Sequence, residues 1–154
     1  MINYHIKTGT KLMENRIQQK PLRIALVANS CWNIYNFRLG LIRRLKKEGY
    51  QIYVLAPIDE YIKYLDDIYF IKHFDLKQLN PQSRNPINDL LLVSELMQIF
   101  KNIRPDLVLN YTIKPNIYGN MAARILNIPT ISTLTGLGFV FTNKNWVKSF
   151  IKRL

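Results

Sequence analysis

The run Ile24-Ala-Leu-Val-Ala28 contains no polar residue and does not alternate. A strand with one wet face alternates, so an unbroken apolar run of strand length needs cover on both faces. Helices packed on both sides of a parallel sheet supply that cover. The run ends abruptly at Asn29-Ser30, and a helical pattern begins at once. In open parallel sheets ligands bind just beyond the carboxyl ends of the strands. Asn29, Ser30, Asn33, Asn36 and Arg38 all fall there, more hydrogen-bonding groups than a turn alone requires.

The rest of the chain repeats the strand-then-helix rhythm. Arg23 to Asn29 reads as the first strand. Asn36 is placed to cap a helix with its apolar face at Phe37, Leu41, Ile42 and Leu45, and Gly49 ends it. Gln51 to Ala56 is a second strand closed by Pro57, and Asp59 caps a short helix bearing Tyr61, Ile62 and Leu65. Ile68 to Phe74 is a third strand. Residues 75–86 form a loop marked by Asn80-Pro81 and Asn85-Pro86. Pro86 suits the first position of a helix with Asn85 as its cap; that helix runs to about Ile103, apolar at Ile87, Leu90, Leu91, Leu96, Met97 and Phe100. Asp106 to Tyr111 is strand four. Pro115 starts a helix with Met121, Ala122 and Ile125 inward, closed by Asn127, and Ile128 to Leu134 is strand five. Residues 135–144 are a loop, and Asn145 opens a final helix on which Trp146, Val147, Phe150, Ile151 and Leu154 share one side. Alternation of this kind predicts an α/β fold with a parallel sheet of about five strands. The order 3-2-1-4-5, with helices on both faces, would make it Rossmann-like.

At 154 residues the chain suits one domain, and at 48% hydrophobic it can bury a core. Residues 1–22 are polar and basic and read as a mobile leader; residues 23–144 form the domain; residues 145–154 begin an amphipathic helix edged by Lys144, Lys148, Lys152 and Arg153. Trp and Phe in such a stripe fit either a membrane interface or protein packing. No run approaches the roughly 18 apolar residues of a membrane span. The first twenty residues lack the apolar stretch of a signal peptide. One cysteine, Cys31, permits no internal disulfide. These features point to a cytoplasmic chain. The net charge of +12 speaks of anionic partners, either a membrane surface, a phosphorylated ligand or nucleic acid. Nucleic acid is disfavoured, because the cations are scattered and no helix-turn-helix, zinc-finger or RNA-binding signature is present.

Three loops concentrate the polar chemistry. After strand one, Asn29, Ser30, Asn33 and Asn36 can serve either backbone caps or a ligand. Arg38 is a bidentate fork one turn into the helix that Asn36 would cap, near an end that favours anions. After strand four, Thr112 and Lys114 precede Pro115, and Lys114 opposes the dipole of the helix it introduces unless an anion visits. After strand five, Thr135-Gly136-Leu137-Gly138 lets backbone N–H groups approach a ligand. A dinucleotide fingerprint would need glycine at position 141, where Phe141 stands, and it would follow the first strand. That excludes a nicotinamide enzyme. His5 and His73 lack metal-ligand spacing, so no metal site is read. Cys31 has no obvious histidine base nearby and reads as a packed or bystander thiol. No phosphate-binding G-x-x-x-x-G-K and no G-x-S-x-G elbow occurs.

Four segments in order carry a resemblance: Val27-Ala-Asn-Ser-Cys-Trp-Asn-Ile-Tyr-Asn-Phe-Arg38, Ala56-Pro-Ile-Asp-Glu-Tyr61, Tyr111-Thr-Ile-Lys-Pro-Asn-Ile-Tyr-Gly119 and Thr135-Gly-Leu-Gly-Phe139. Over about residues 22–143 the chain resembles the N-terminal, acceptor-side domain of bacterial family 4 glycosyltransferases. The nearest subgroup is the one that builds capsular, O-antigen or glycoprotein glycans on polyprenyl diphosphate. The resemblance implies one half of a two-Rossmann (GT-B) fold, retention at the anomeric carbon, no cofactor and no essential metal. It implies a nucleotide-sugar donor, a UDP-sugar foremost, held mainly by a C-terminal domain not in this sequence, and a lipid-linked glycan acceptor held by this one. On that footing Asn29, Ser30 and Asn36 would meet acceptor hydroxyls, and Asn33 and Thr112 share their strand ends. Arg38 and Lys114 would meet phosphate or carboxylate, while Thr135, Gly136 and Gly138 would line the cleft beside the transferred sugar. Relatives carry glycines in the first loop, whereas residues 29–33 have none. The implied location is the inner face of the cell membrane, attached peripherally, and the fragment alone would be inactive. Two other readings stand beside this one. One is a non-catalytic subunit docking a separate catalytic chain to the membrane; the other is a basic nucleic-acid-binding domain.

Overall fold

A computed structural model describes residues 20–69, 71–82 and 85–134. Residues 1–19 of the expected leader, residues 135–144 and the expected final helix lie outside the described residues, and with them Thr135, Gly136 and Gly138. The chain runs β1 (Arg23–Val27), α1 (Cys31–Lys47), β2 (Gln51–Leu55), α2 (Ile62–Tyr69), β3 (Lys72–Phe74), α3 (Pro86–Ile103), β4 (Leu107–Tyr111), a π-helical turn (Pro115–Gly119), α4 (Asn120–Ile125) and β5 (Thr130–Thr133). The five strands form one sheet in the order β3-β2-β1-β4-β5, and every pairing is parallel. Both the class and the strand order are those the sequence predicts.

The apolar run of β1 explains the layers. Ala25 and Val27 point to the face covered by α3 and α4, where they join Leu96, Phe100 and Ala122. Ile24, Leu26 and Ala28 point to the other face and meet Ile34, Ile42 and Leu65 of α1 and α2. Alternate residues of one strand thus enter two separate cores, so every one of them had to be apolar. Leu26 and Phe100 are 0% and 1% exposed. Burying side chains of this size stabilises by roughly 1.5–3 kcal/mol each. Because β1 is central, Asn29 is carried to the sheet's midline. The order reverses between β1 and β4, so residues following those two strands face each other across the point where such folds bind ligands.

Several boundaries differ from the expectation. α1 begins at Cys31 rather than Asn36. Extended Ser30 caps it, its hydroxyl accepting the Asn33 N–H at 3.1 Å. Buried Cys31, Ile34 and Ile42 set its face, leaving Phe37 58% exposed and Leu41 39%. β3 is only Lys72–Phe74, because residues 68 and 69 continue α2. In α3 the buried side is Leu92, Val93, Leu96, Phe100 and Ile103, so Ile87, Leu90 and Leu91 at its start stay exposed. β5 is likewise shorter than Ile128–Leu134. Ala122 is buried as expected, but Met121 and Ile125 are exposed and Ala123 is buried instead. The π-helical turn is the reason: its extra residue rotates everything after it relative to an unbroken α-helix. Asn85 caps α3 as expected, accepting the Ile87 N–H at 3.0 Å.

Candidate functional site

Thr112 ends β4 in a left-handed backbone, φ +71°. A β-branched residue rarely adopts this conformation, and holding it there costs on the order of 1–3 kcal/mol. Its hydroxyl oxygen is buried without a hydrogen-bond partner, as is Oδ1 of Asn29 at the end of β1. Buried polar atoms in native proteins nearly always have partners, so each such atom needs a reason. The two residues line one hollow of about 210 Å³ together with Pro81, Ile113 and Lys114. It sits at the switch point between β1 and β4. Asn33, in the first turn of α1, also has a buried, unpartnered Oδ1.

Lys114 does not present a free charge to this hollow. Its Nζ is 2.7 Å from Oδ1 of Asp89, with both side chains mostly buried. The Tyr118 hydroxyl donates to the other oxygen of Asp89 at 2.6 Å. The Lys114 hydrogen bond, then that of Tyr118, hold the Asp89 carboxyl below its ordinary range, and Asp89 in turn pushes the Tyr118 phenol up. Asp89 therefore supplies the counter-charge for which the sequence invoked a visiting anion. It lies in the first turn of α3, where the helix dipole favours a carboxylate.

Arg38 is also placed differently from the expectation. With α1 starting at Cys31 it lies two turns into the helix, not one. Its guanidinium stacks 4.2 Å from the centroid of the Tyr111 ring, a cation–π contact. Burial raises the pKa of the Tyr111 phenol, and Arg38 partly offsets it. Ser30 spends its hydroxyl on the cap. Asn36 is exposed and turns its amide back to the Trp32 carbonyl at 2.9 Å. The structure thus brings Asn29, Thr112 and Lys114 to one hollow and leaves Asn36 and Arg38 on the body of α1.

A second group of amides, absent from the sequence-based reading, braces this end of β4. Asn110 is fully buried. The amide nitrogen of Asn120 donates to the Asn116 carbonyl and to the Ser132 hydroxyl, both at 2.6 Å, while its Oδ1 accepts from Thr130. Asn116 donates to the Thr133 carbonyl at 3.0 Å. These bonds tie the π-helical turn and the start of α4 to β5. The available signal was Asn110 breaking the apolar run of β4. Nothing local could have paired Lys114 with Asp89.

Cys31 is fully buried, and contrary to the sequence reading a histidine does lie beside it. Nε2 of His73 is 3.5 Å from its sulfur. That nitrogen is also 2.9 Å from the Ala56 carbonyl, which can only accept, so it carries the proton. It therefore cannot take one from Cys31, whose thiol donates instead to the Pro57 carbonyl. A larger hollow of about 450 Å³ lies at the opposite end of the sheet, among Arg23, Phe100, Lys101, Arg104 and Asp106. Its cations answer Asp106 and the C-terminal carbonyls of α3. Among the described residues no helix is long and apolar enough to cross a membrane, and no group of three metal-ligating side chains gathers.

Comparison with known proteins bears on the family and the fold. The model of the family described as "Glycosyl transferase 4-like" matches residues 23–154. A similar protein is the N,N'-diacetylbacillosaminyl-diphospho-undecaprenol alpha-1,3-N-acetylgalactosaminyltransferase of Campylobacter jejuni. The two are 26% identical over 132 residues, 85% of this chain and 35% of the relative. The chain thus spans about a third of that enzyme's length. Among solved structures, a glycosyltransferase from Rickettsia africae superposes with a TM-score of 0.62 at 17% identity, over 88% of this chain and 39% of that one. Anabaena HepE, in complex with UDP and glucose, superposes with a TM-score of 0.58 at 20% identity, over 85% of this chain and 35% of that one. These structures share the Rossmann-like fold. Matched along all but its first 22 residues, the chain belongs to the glycosyltransferase 4-like family.

Proposed function

We propose that this chain is the acceptor-binding half of a retaining glycosyltransferase that moves a sugar from a UDP-sugar to a polyprenyl-diphosphate-linked glycan. Residues 23–144 form the acceptor-side domain in this reading, and a second domain holds the donor. The observation that carries it is the hollow at the β1–β4 switch point. There two strand ends present unpartnered polar atoms, Asn29 Oδ1 and Thr112 Oγ1, on a rigid scaffold. Acceptor hydroxyls are groups that would satisfy such atoms. Similarity to an enzyme named for transfer onto a diphospho-undecaprenol-linked sugar supports the acceptor class. The UDP bound to Anabaena HepE supports the donor class.

The chemistry asked of this half is modest. It orients the acceptor hydroxyl and excludes water; retaining transfer can proceed with the leaving diphosphate assisting deprotonation. Attachment to the inner face of the membrane would keep the domain within reach of a lipid-anchored sugar. The test is to assay the whole gene product and the 154-residue chain with UDP-sugars and polyprenyl-diphosphate acceptors. Transfer by the first and none by the second is expected. Turnover by the 154-residue chain at about 1 per second or more, typical of complete enzymes, would contradict the two-domain reading.

A further inference from the structure

Building on the acceptor-side reading, we infer that the hollow between Asn29 and Thr112 is a subsite for one uncharged, hydroxyl-bearing sugar ring and rejects phosphate and carboxylate. Three observations lead there. First, the nearest cation is already neutralised: Lys114 pairs with Asp89 at 2.7 Å, and Tyr118 binds the same carboxylate. Among the described residues the hollow has no net positive charge to offer an anion.

Second, one of the two unpartnered atoms, Asn29 Oδ1, has the wrong polarity for an anion. Asn29 Oδ1 is an amide oxygen that only accepts, and Thr112 Oγ1 both accepts and donates. A phosphate or carboxylate oxygen brought against Asn29 Oδ1 would set lone pair against lone pair in a partly desolvated place. A sugar hydroxyl donates to Asn29 Oδ1 while accepting from Thr112 or from the remaining N–H groups of Lys114. Third, the volume of about 210 Å³ suits one ring rather than a chain of them. The diphosphate of a lipid-linked acceptor therefore lies outside this hollow, and an acceptor whose ring here is a uronic acid is refused.

The test follows backbone and side-chain amide shifts of the ¹⁵N-labelled chain on titration with N-acetylgalactosamine, galacturonate and inorganic phosphate. N-acetylgalactosamine should move the Thr112 amide and the Asn29 side-chain amide at least tenfold more readily than either anion. Asn29→Ala should weaken the sugar response about fivefold. Thr112→Gly, which relieves the backbone strain and so folds, should weaken the sugar response about fivefold. Equal or stronger response to phosphate or galacturonate would overturn the proposal. So would the absence of any response, and if the whole gene product then still transfers sugar, the subsite alone has failed. A response to N-acetylgalactosamine with no transfer by the whole gene product would overturn the enzyme reading instead.

Discussion

Gly119 lies directly against the side chain of Asn110. A Cβ built on Gly119 would run into Asn110 Oδ1 and come within 2.9 Å of its Cγ. The contact joins the π-helical turn to the only described polar side chain that is fully buried, so the turn's position and the end of β4 are set together. Gly119→Ala must displace one or the other and should destabilise by about 1–3 kcal/mol. Gly40, exposed in α1, has open space around it, and Gly40→Ala should stabilise by about 0.5–1 kcal/mol. Urea unfolding of the two variants should move the midpoint in opposite directions; a shared direction would contradict the packing described.

Ser30 supplies the N-cap of α1 through its hydroxyl. Ser30→Ala should cost about 1 kcal/mol, and Ser30→Asp should restore it, because a carboxylate caps as well and suits the dipole. Asn36→Ala should change stability by less than 0.5 kcal/mol, since among the described residues its side chain bonds back to its own helix. Chemical denaturation separates these outcomes; a larger loss at position 36 than at 30 would put the start of the helix elsewhere.

The comparison of these two positions shows what the sequence could and could not convey. Fold class and strand order followed from the run Ile24–Ala28, whose five apolar residues serve two cores, and from the turn signals between periodic segments. The cap of α3 was equally legible, because Asn85-Pro86 is a local instruction. The start of α1 was missed because Ser30, Asn33 and Asn36 are all competent caps, and only the burial of Cys31 and Ile34 decides among them. The phase of α4 was missed because a π-helical turn has no sequence pattern distinct from a helix. That Asn29, Thr112 and Lys114 line one hollow is what the strand-end rule leads one to expect. The neutralisation of Lys114 by Asp89, 25 residues earlier, is a tertiary fact. So is the stacking of Arg38 on Tyr111.

Asp89 should make stability fall in acid. The hydrogen bond from Lys114, then that from Tyr118, lowers its pKa from the ordinary 3.8. A carboxyl whose folded pKa lies below its unfolded value contributes stability above the unfolded pKa and loses it as pH drops through the folded one. The melting temperature of Asp89→Asn should therefore lie furthest below that of the unsubstituted chain near neutrality. The gap should narrow below about pH 4. A gap constant from pH 7 to pH 3 would show that the charge of Asp89 does not matter.

Thr112→Gly removes a left-handed β-branched residue and should leave stability unchanged or raise it by about 1 kcal/mol. Thr112→Ala removes the same hydroxyl but keeps most of the strain and should show no such gain. Both should impair transfer by the whole gene product, Gly no less than Ala. Thermal melts and initial rates on the pair separate the hydroxyl's part from the backbone's. Full activity in both variants would mean that the strained threonine serves the fold alone.

The most direct measurement of the acceptor-side assignment is steady-state kinetics of the whole gene product carrying Asn29→Ala or Thr112→Gly. A UDP-sugar and a polyprenyl-diphosphate-linked sugar are each varied in turn. Loss of one neutral hydrogen bond of about 1–1.5 kcal/mol should raise the acceptor KM roughly 5–10-fold per substitution and leave the donor KM unchanged. A raised donor KM with an unaltered acceptor KM would contradict the assignment.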